Sequence, residues 1–100
     1  MQDALEALQK RIGLGETAAG DHHRLALAHG SLGQYPRAEE ASREALRRDP
    51  SMALAWFTLA NALYEQGNPS AFEAYESFVE MWKGDPKLLE TARRRLRERR

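Results

Sequence analysis

Apolar residues recur every three or four positions along most of the chain, which is the spacing of helices that bury one face. The pattern predicts helices near residues 3–12, 20–32, 36–48, 52–66 and 69–82, and a last helix that begins at Asp85-Pro86. In the first of these, Leu5, Leu8 and Ile12 form one apolar stripe. Glycine follows four of the predicted helices, at Gly13, Gly33, Gly67 and Gly84. The hydrophobic pattern therefore predicts an all-α protein.

Composition supports helices over strands, because valine and isoleucine occur once each, at Val79 and Ile12. A chain of 100 residues is enough for one domain. With 42% hydrophobic and 30% charged residues, it has the composition of a folded protein and not of a disordered one. The absence of cysteine excludes a disulfide framework and cysteine-ligated zinc.

No stretch of the chain approaches the roughly 18 apolar residues that a membrane span needs. The N-terminal segment "MQDALEALQKRIG" contains acidic residues and no long apolar centre, which is not typical of a signal peptide. We therefore expect a cytoplasmic protein with no membrane span.

The chain repeats itself. A shift of 34 residues superposes His22 on Trp56, Leu25 on Leu59 and Gly33 on Gly67, and a shift of 36 superposes Pro50 on Pro86. One change of register near residues 68–70 reconciles the two shifts. The simplest interpretation is a helix-turn-helix unit present twice, with a slightly longer turn in the second copy.

The repeated unit resembles the tetratricopeptide repeat, a 34-residue helix-turn-helix with the pattern W-x2-L-G-x2-Y, then A-x3-F, then a late Ala and Pro. The second copy follows this pattern at Trp56, Leu59, Ala74, Phe78 and Pro86, and departs from it at Ala60, Leu63 and Met81. The first copy follows it at Leu25, Ala38, Ala45 and Pro50, and departs from it at His22, Ala26, His29 and Ser42. The resemblance implies an α-solenoid with an N-terminal helix and connector (1–18), two repeats (19–52 and 53–86) and a basic capping helix (87–100).

The resemblance also implies a binding groove, because in this family the first helix of each repeat lines a concave surface that holds a peptide or a helix. By position, the principal lining residues are His23, Leu27, Leu54, Phe57, Asn61 and Tyr64, with Gly30, Ser31 and Glu65 beside them. The function that this implies is a non-enzymatic protein-binding adaptor, with Asn61 pairing the backbone of an apolar ligand. The alternative is that Phe57 and Tyr64 pack under a terminal helix.

The C-terminal segment offers a different function. Residues 87–100 hold seven basic and two acidic residues, and this excess favours binding to nucleic acid, an anionic surface or an acidic protein. The residues concerned are Arg93, Arg94, Arg95, Arg97, Arg99 and Arg100. Cations are also favourable at a helix C-terminus, and no aromatic residue lies between these arginines to stack on bases, so a solvated cap is the more economical interpretation. Self-association through an exposed solenoid face is a third possibility.

The sequence does not indicate catalysis, a metal or a cofactor. His22 and His29 lie seven residues apart, roughly 10 Å along a helix, which is too far for both to bind one ion. The glycines of "GLGETAAG" follow a helix instead of a strand and lack the Lys-Ser/Thr of a phosphate-binding loop. No serine belongs to a recognisable nucleophile and base set. We expect a protein that binds and does not catalyse.

Overall fold

The computed structural model describes residues 18–99. These residues form five helices and no strand, namely α1 (Ala19–Ser31), α2 (Tyr35–Arg48), α3 (Ala53–Glu65), α4 (Ser70–Met81) and α5 (Pro86–Arg97). The predicted all-α class is confirmed, and the ends of these helices differ from the predicted ones by about one residue. The helix predicted at residues 3–12 lies outside the described residues.

The two repeats turn in the same way. The turn between α1 and α2 places Gly33 at φ 76°, and the turn between α3 and α4 places Gly67 at φ 71°. Each turn is closed by an equivalent backbone hydrogen bond of 2.9 Å, from Gln34 N to His29 O and from Asn68 N to Leu63 O. Glycine is needed at both turns because a Cβ atom disfavours positive φ.

Each helix packs against the next along the chain, and alanines are numerous among the buried residues. The alanines that occupy equivalent positions in the two repeats, Ala26 with Ala60 and Ala38 with Ala74, are all buried. Large side chains fill the second repeat, where Leu63, Tyr75 and Phe78 are almost completely inaccessible. Such a core of small and large residues holds the helices at fixed distances from one another.

Helix α5 aligns in sequence with α1 and α3, which are the first helices of the two repeats. A further shift of 34 residues superposes the buried Thr58 on Ala92, which is completely buried. On the other side of α5, exposed polar residues occupy the positions that apolar residues hold in α3. These are Glu90, Arg93, Arg94 and Arg97, in the places of Trp56, Leu59, Ala60 and Leu63. Helix α5 therefore occupies the place of the first helix of a third unit, with a polar face where α3 has an apolar one.

Candidate functional site

A groove of about 580 Å³ lies between α1, α3 and α5, with α2 contributing to its lining. The groove is defined by Ala26, Leu27, Gly30, Ser31, Tyr35, Ala38, Phe57, Thr58, Asn61, Ala62, Glu65, Leu88, Thr91 and Arg95. Within this lining, Arg95 and Glu65 carry the charges and most other residues are apolar or small. The first helices of both repeats and the helix that continues their register thus form one concave surface.

The groove has two large apolar side chains in different environments, Leu27 and Phe57. The Leu27 side chain is 49% exposed. Phe57 is half-buried, and its ring packs 4.8 Å from the ring of Phe78 and 6.1 Å from that of Tyr75. Leu27 is therefore available to a ligand, whereas Phe57 also supports the core.

Arg95 joins α5 to α3 and α4. Its Nη1 donates a hydrogen bond of 2.9 Å to Asn61 Oδ1 and a second one to the Tyr75 hydroxyl. The Tyr75 hydroxyl in turn donates to Asn61 Oδ1, and burial raises the pKa of Tyr75, so this hydroxyl stays protonated. The Arg95 guanidinium carbon also lies 4.1 Å from the centre of the Tyr64 ring. Arg95 is consequently held from three sides.

One helical turn beyond Arg95, Glu98 fixes the Tyr64 hydroxyl. This hydroxyl donates to the Glu98 carboxylate over 2.8 Å, and the hydrogen bond raises the pKa of Tyr64. Tyr64 is thereby covered by α5 and does not line the groove. Both contacts join residues that are 34 positions apart, Asn61 with Arg95 and Tyr64 with Glu98.

His23 joins α1 to α3 at the side of the groove. Its Nε2 lies 2.9 Å from Thr58 Oγ1, and Thr58 donates its own hydroxyl proton to the Leu54 carbonyl over 3.0 Å. Because that proton is already used, Nε2 carries the hydrogen and donates to Thr58. Burial lowers the pKa of His23, with the nearby charge of Arg24 acting in the same direction and a hydrogen bond to the Leu54 backbone opposing it.

The six residues predicted for the groove separate into two groups. Leu27, Phe57 and Asn61 line it, whereas His23, Leu54 and Tyr64 do not. His23 and Leu54 are connected to the lining through Thr58, and Tyr64 lies against α5. Gly30, Ser31 and Glu65, which were predicted beside these six, also line the groove. Eight lining residues were not predicted for it, namely Ala26, Tyr35, Ala38, Thr58, Ala62, Leu88, Thr91 and Arg95. Continuing the 34-residue register from Phe57 and Asn61 would have identified Thr91 and Arg95.

The predicted basic tail is not a single surface. Arg95 lies in the groove, and Arg99 forms an ion pair of 2.8 Å with Glu76 of α4. Arg93, Arg94 and Arg97 are exposed and form no ion pair with another described residue, and together with Glu90 they surround a shallow cavity of about 420 Å³. Arg100 lies outside the described residues.

His22 and His29 lie on another face of α1, at a separate cavity of about 900 Å³. His29 Nδ1 lies 2.6 Å from Gln34 Oε1. His22 Nε2 is buried and has no hydrogen-bond partner among the described residues. Burial lowers the pKa of His22, and the charge of Arg48 acts in the same direction. No group of three or more histidine and acidic side chains in residues 18–99 is arranged to hold a metal ion. Among the five helices of this range, none is long and apolar enough to cross a membrane.

Comparison with known families agrees with this arrangement. A search of curated proteins returned no significant match. The family model of the tetratricopeptide repeat matches residues 23–86, a range that extends from α1 to the start of α5 and includes both helix-turn-helix units. The repeated turns, the four buried alanines and this match lead to one conclusion. The chain belongs to the tetratricopeptide repeat family.

Proposed function

We propose that the protein is a non-enzymatic adaptor that binds a peptide or a helix of a partner protein in the groove between α1, α3 and α5. Repeats of this family are generally protein-interaction modules and typically have no enzymatic activity. The observation that carries the proposal is the groove itself, about 580 Å³ in volume, with the exposed Leu27 in its wall. This volume lies within the range of ordinary ligand-binding clefts.

The groove offers an apolar ligand both burial and hydrogen bonds. Leu27, Phe57 and Leu88 provide apolar surface from three different helices. The Asn61 amide nitrogen makes no hydrogen bond within residues 18–99 and is available to a ligand carbonyl. On a scaffold of this size we expect micromolar binding, about −8 kcal/mol.

The test uses a charged side chain placed in the groove. The immobilised chain and its Leu27→Asp variant are compared for capture of proteins from cell lysate, with and without nuclease, and the captured partner is purified and titrated calorimetrically. Met81→Asp is the matched control, because Met81 is 40% exposed and lies on α4, outside the groove lining. We expect Leu27→Asp to abolish binding and Met81→Asp to preserve it. Equal binding by both variants would exclude the groove.

The exposed Arg93, Arg94 and Arg97 support a second candidate function, the binding of nucleic acid or an anionic surface. Binding through these arginines would fall steeply with salt, since it releases counterions, whereas burial of an apolar ligand would not. Titration of single-stranded RNA at several salt concentrations separates the two functions. Loss of RNA binding in the variant Arg93→Gln, Arg94→Gln, Arg97→Gln would support the second candidate, and no measurable RNA binding would eliminate it.

A further inference from the structure

Three of the five N–H donors of the Arg95 guanidinium form no hydrogen bond within residues 18–99. Both hydrogens of Nη1 are taken, one by Asn61 and one by Tyr75. Nε and Nη2 form no hydrogen bond within residues 18–99, and no carboxylate of this range lies within 4 Å of the guanidinium. Arg95 is half-buried and lines the groove, so this side chain presents its remaining donors in a partly desolvated place.

The unused donors have a defined shape. Nε and Nη2 form one edge of the planar guanidinium, with two parallel N–H groups whose spacing matches the two oxygens of a carboxylate. Asn61, Tyr75 and the Tyr64 ring already restrict the side chain, so little rotamer entropy remains to be lost when a ligand binds. A carboxylate at this edge would form two charge-assisted hydrogen bonds.

We propose that this edge of Arg95 binds the carboxylate of an aspartate or glutamate side chain in the partner segment that occupies the groove. The inference rests on the proposed groove function and specifies its ligand, a segment that combines an acidic residue with an apolar one. The apolar residue contacts Leu27 on α1, and the acidic residue reaches Arg95 on the opposite wall, α5.

The charges around Arg95 favour a single acidic side chain. Arg95 is the one cation in the described lining, so it matches one carboxylate and offers no second positive charge for another. Glu98, the acidic residue one turn away, already accepts the Tyr64 hydroxyl and is exposed. Glu65, at the α3 side of the groove, is exposed as well and disfavours a second acidic residue there.

The test begins with the selection of peptides from a library whose sequences are random, so that acidic residues are not favoured in advance. A library of random 12-residue peptides, displayed internally so that no free C-terminus is present, is selected on the wild-type chain. We expect the selected peptides to share one Asp or Glu and at least one large apolar residue. A representative peptide is then synthesised in its acidic form and in the corresponding Asp→Asn or Glu→Gln form, each with a free and with an amidated C-terminus.

Calorimetric titration of these peptides isolates the contact. We expect Arg95→Gln to weaken binding of the acidic peptide about 10–100-fold, the worth of a hydrogen-bonded charge pair. The neutral peptide should bind the wild type as weakly as the acidic peptide binds Arg95→Gln. The neutral peptide should lose no further affinity when it is titrated into Arg95→Gln, because both changes remove the same contact. Arg93→Gln, which removes an exposed charge of the same helix, should have no effect. Arg95→Lys, which keeps the charge and loses the two-donor edge, repeats the test if Arg95→Gln does not fold.

The outcomes separate this inference from the proposed function. Peptides that depend on Leu27 but contain no acidic residue, or that bind Arg95→Gln as well as they bind the wild type, would overturn the inference and leave the groove in place. Binding that follows the free C-terminus instead of the acidic side chain would also overturn it. If no peptide is selected, or if Leu27→Asp binds every selected peptide normally, both proposals fail together.

Discussion

Tyr75 has a completely buried ring, and its hydroxyl lies where α3, α4 and α5 meet. It donates to Asn61 Oδ1 and accepts from Arg95 Nη1, so one oxygen atom connects three helices. A buried network of this kind is costly when one member is removed, because its partners lose their hydrogen bonds without regaining water.

We expect Tyr75→Phe to lower the free energy of unfolding by about 1–3 kcal/mol, because the change leaves Arg95 with one partner fewer and removes a donor to Asn61. Urea unfolding followed by circular dichroism measures the loss. Tyr35→Phe is the matched control, since the Tyr35 hydroxyl forms no hydrogen bond within residues 18–99, and a change below about 0.5 kcal/mol is expected there. Equal effects of both substitutions would contradict the network.

The histidines predict how stability depends on pH. Burial lowers the pKa of both His22 and His23 below the ordinary histidine value of 6.5. As pH falls through this value, the two side chains therefore bind more protons in the unfolded chain than in the folded one. The free energy of unfolding should therefore fall as pH decreases from about 7.5 to about 5.5, above the range in which carboxylates titrate. Urea unfolding at several pH values measures this slope. The variant His22→Gln, His23→Gln should show a flatter profile, and an unchanged slope would exclude these histidines as its cause.

At the scale of helices and turns, the two glycines with positive φ separate the paired helices at equivalent positions. We expect Gly67→Ala to lower the free energy of unfolding by about 1–2 kcal/mol, because an alanine in this conformation brings its Cβ too close to the backbone. Gly30→Ala is the control inside α1, where a Cβ meets no atom within 4 Å and φ is not positive. It should be neutral or stabilising, by at most about 1 kcal/mol. Thermal melting of both variants measures these changes in stability. Similar losses of stability in the two variants would contradict the requirement for glycine at the turn.

The sequence predicted the helices well and the site in part, for a physical reason. Helix ends depend on local signals such as Gly33, Gly67 and the Asp85-Pro86 pair, which a sequence displays directly. Leu27, Phe57 and Asn61 followed from the repeat register, and Arg95 lies in the same register one step later. The position of the Arg95 side chain over the Tyr64 ring depends on how α5 packs against α3, and no local pattern contains that information.

At the scale of the whole molecule, α5 has two roles that lie on two of its faces. One face carries Ala92 into the core and Arg95 into the groove, so it completes the groove lining begun by α1 and α3. The other face replaces the apolar positions of α3 by Glu90, Arg93, Arg94 and Arg97. Stacked repeats need such a polar end, since each repeat otherwise exposes the surface on which its neighbour would pack.

The end of the stack can be tested by restoring the apolar pattern. In the variant Arg93→Leu, Arg94→Ala, Arg97→Leu, α5 carries the residues that α3 has at Leu59, Ala60 and Leu63, all of which are buried against neighbouring helices. We expect this variant to associate, because it exposes a continuous apolar patch with no helix to cover it. Light scattering should show a mass that rises with concentration above that of the wild type.

The variant with three glutamines at the same positions keeps a polar face and should match the wild type. If the apolar variant also keeps the wild-type mass, the arginines are not what ends the array, and their exposure needs another explanation, of which anion binding is the first to test.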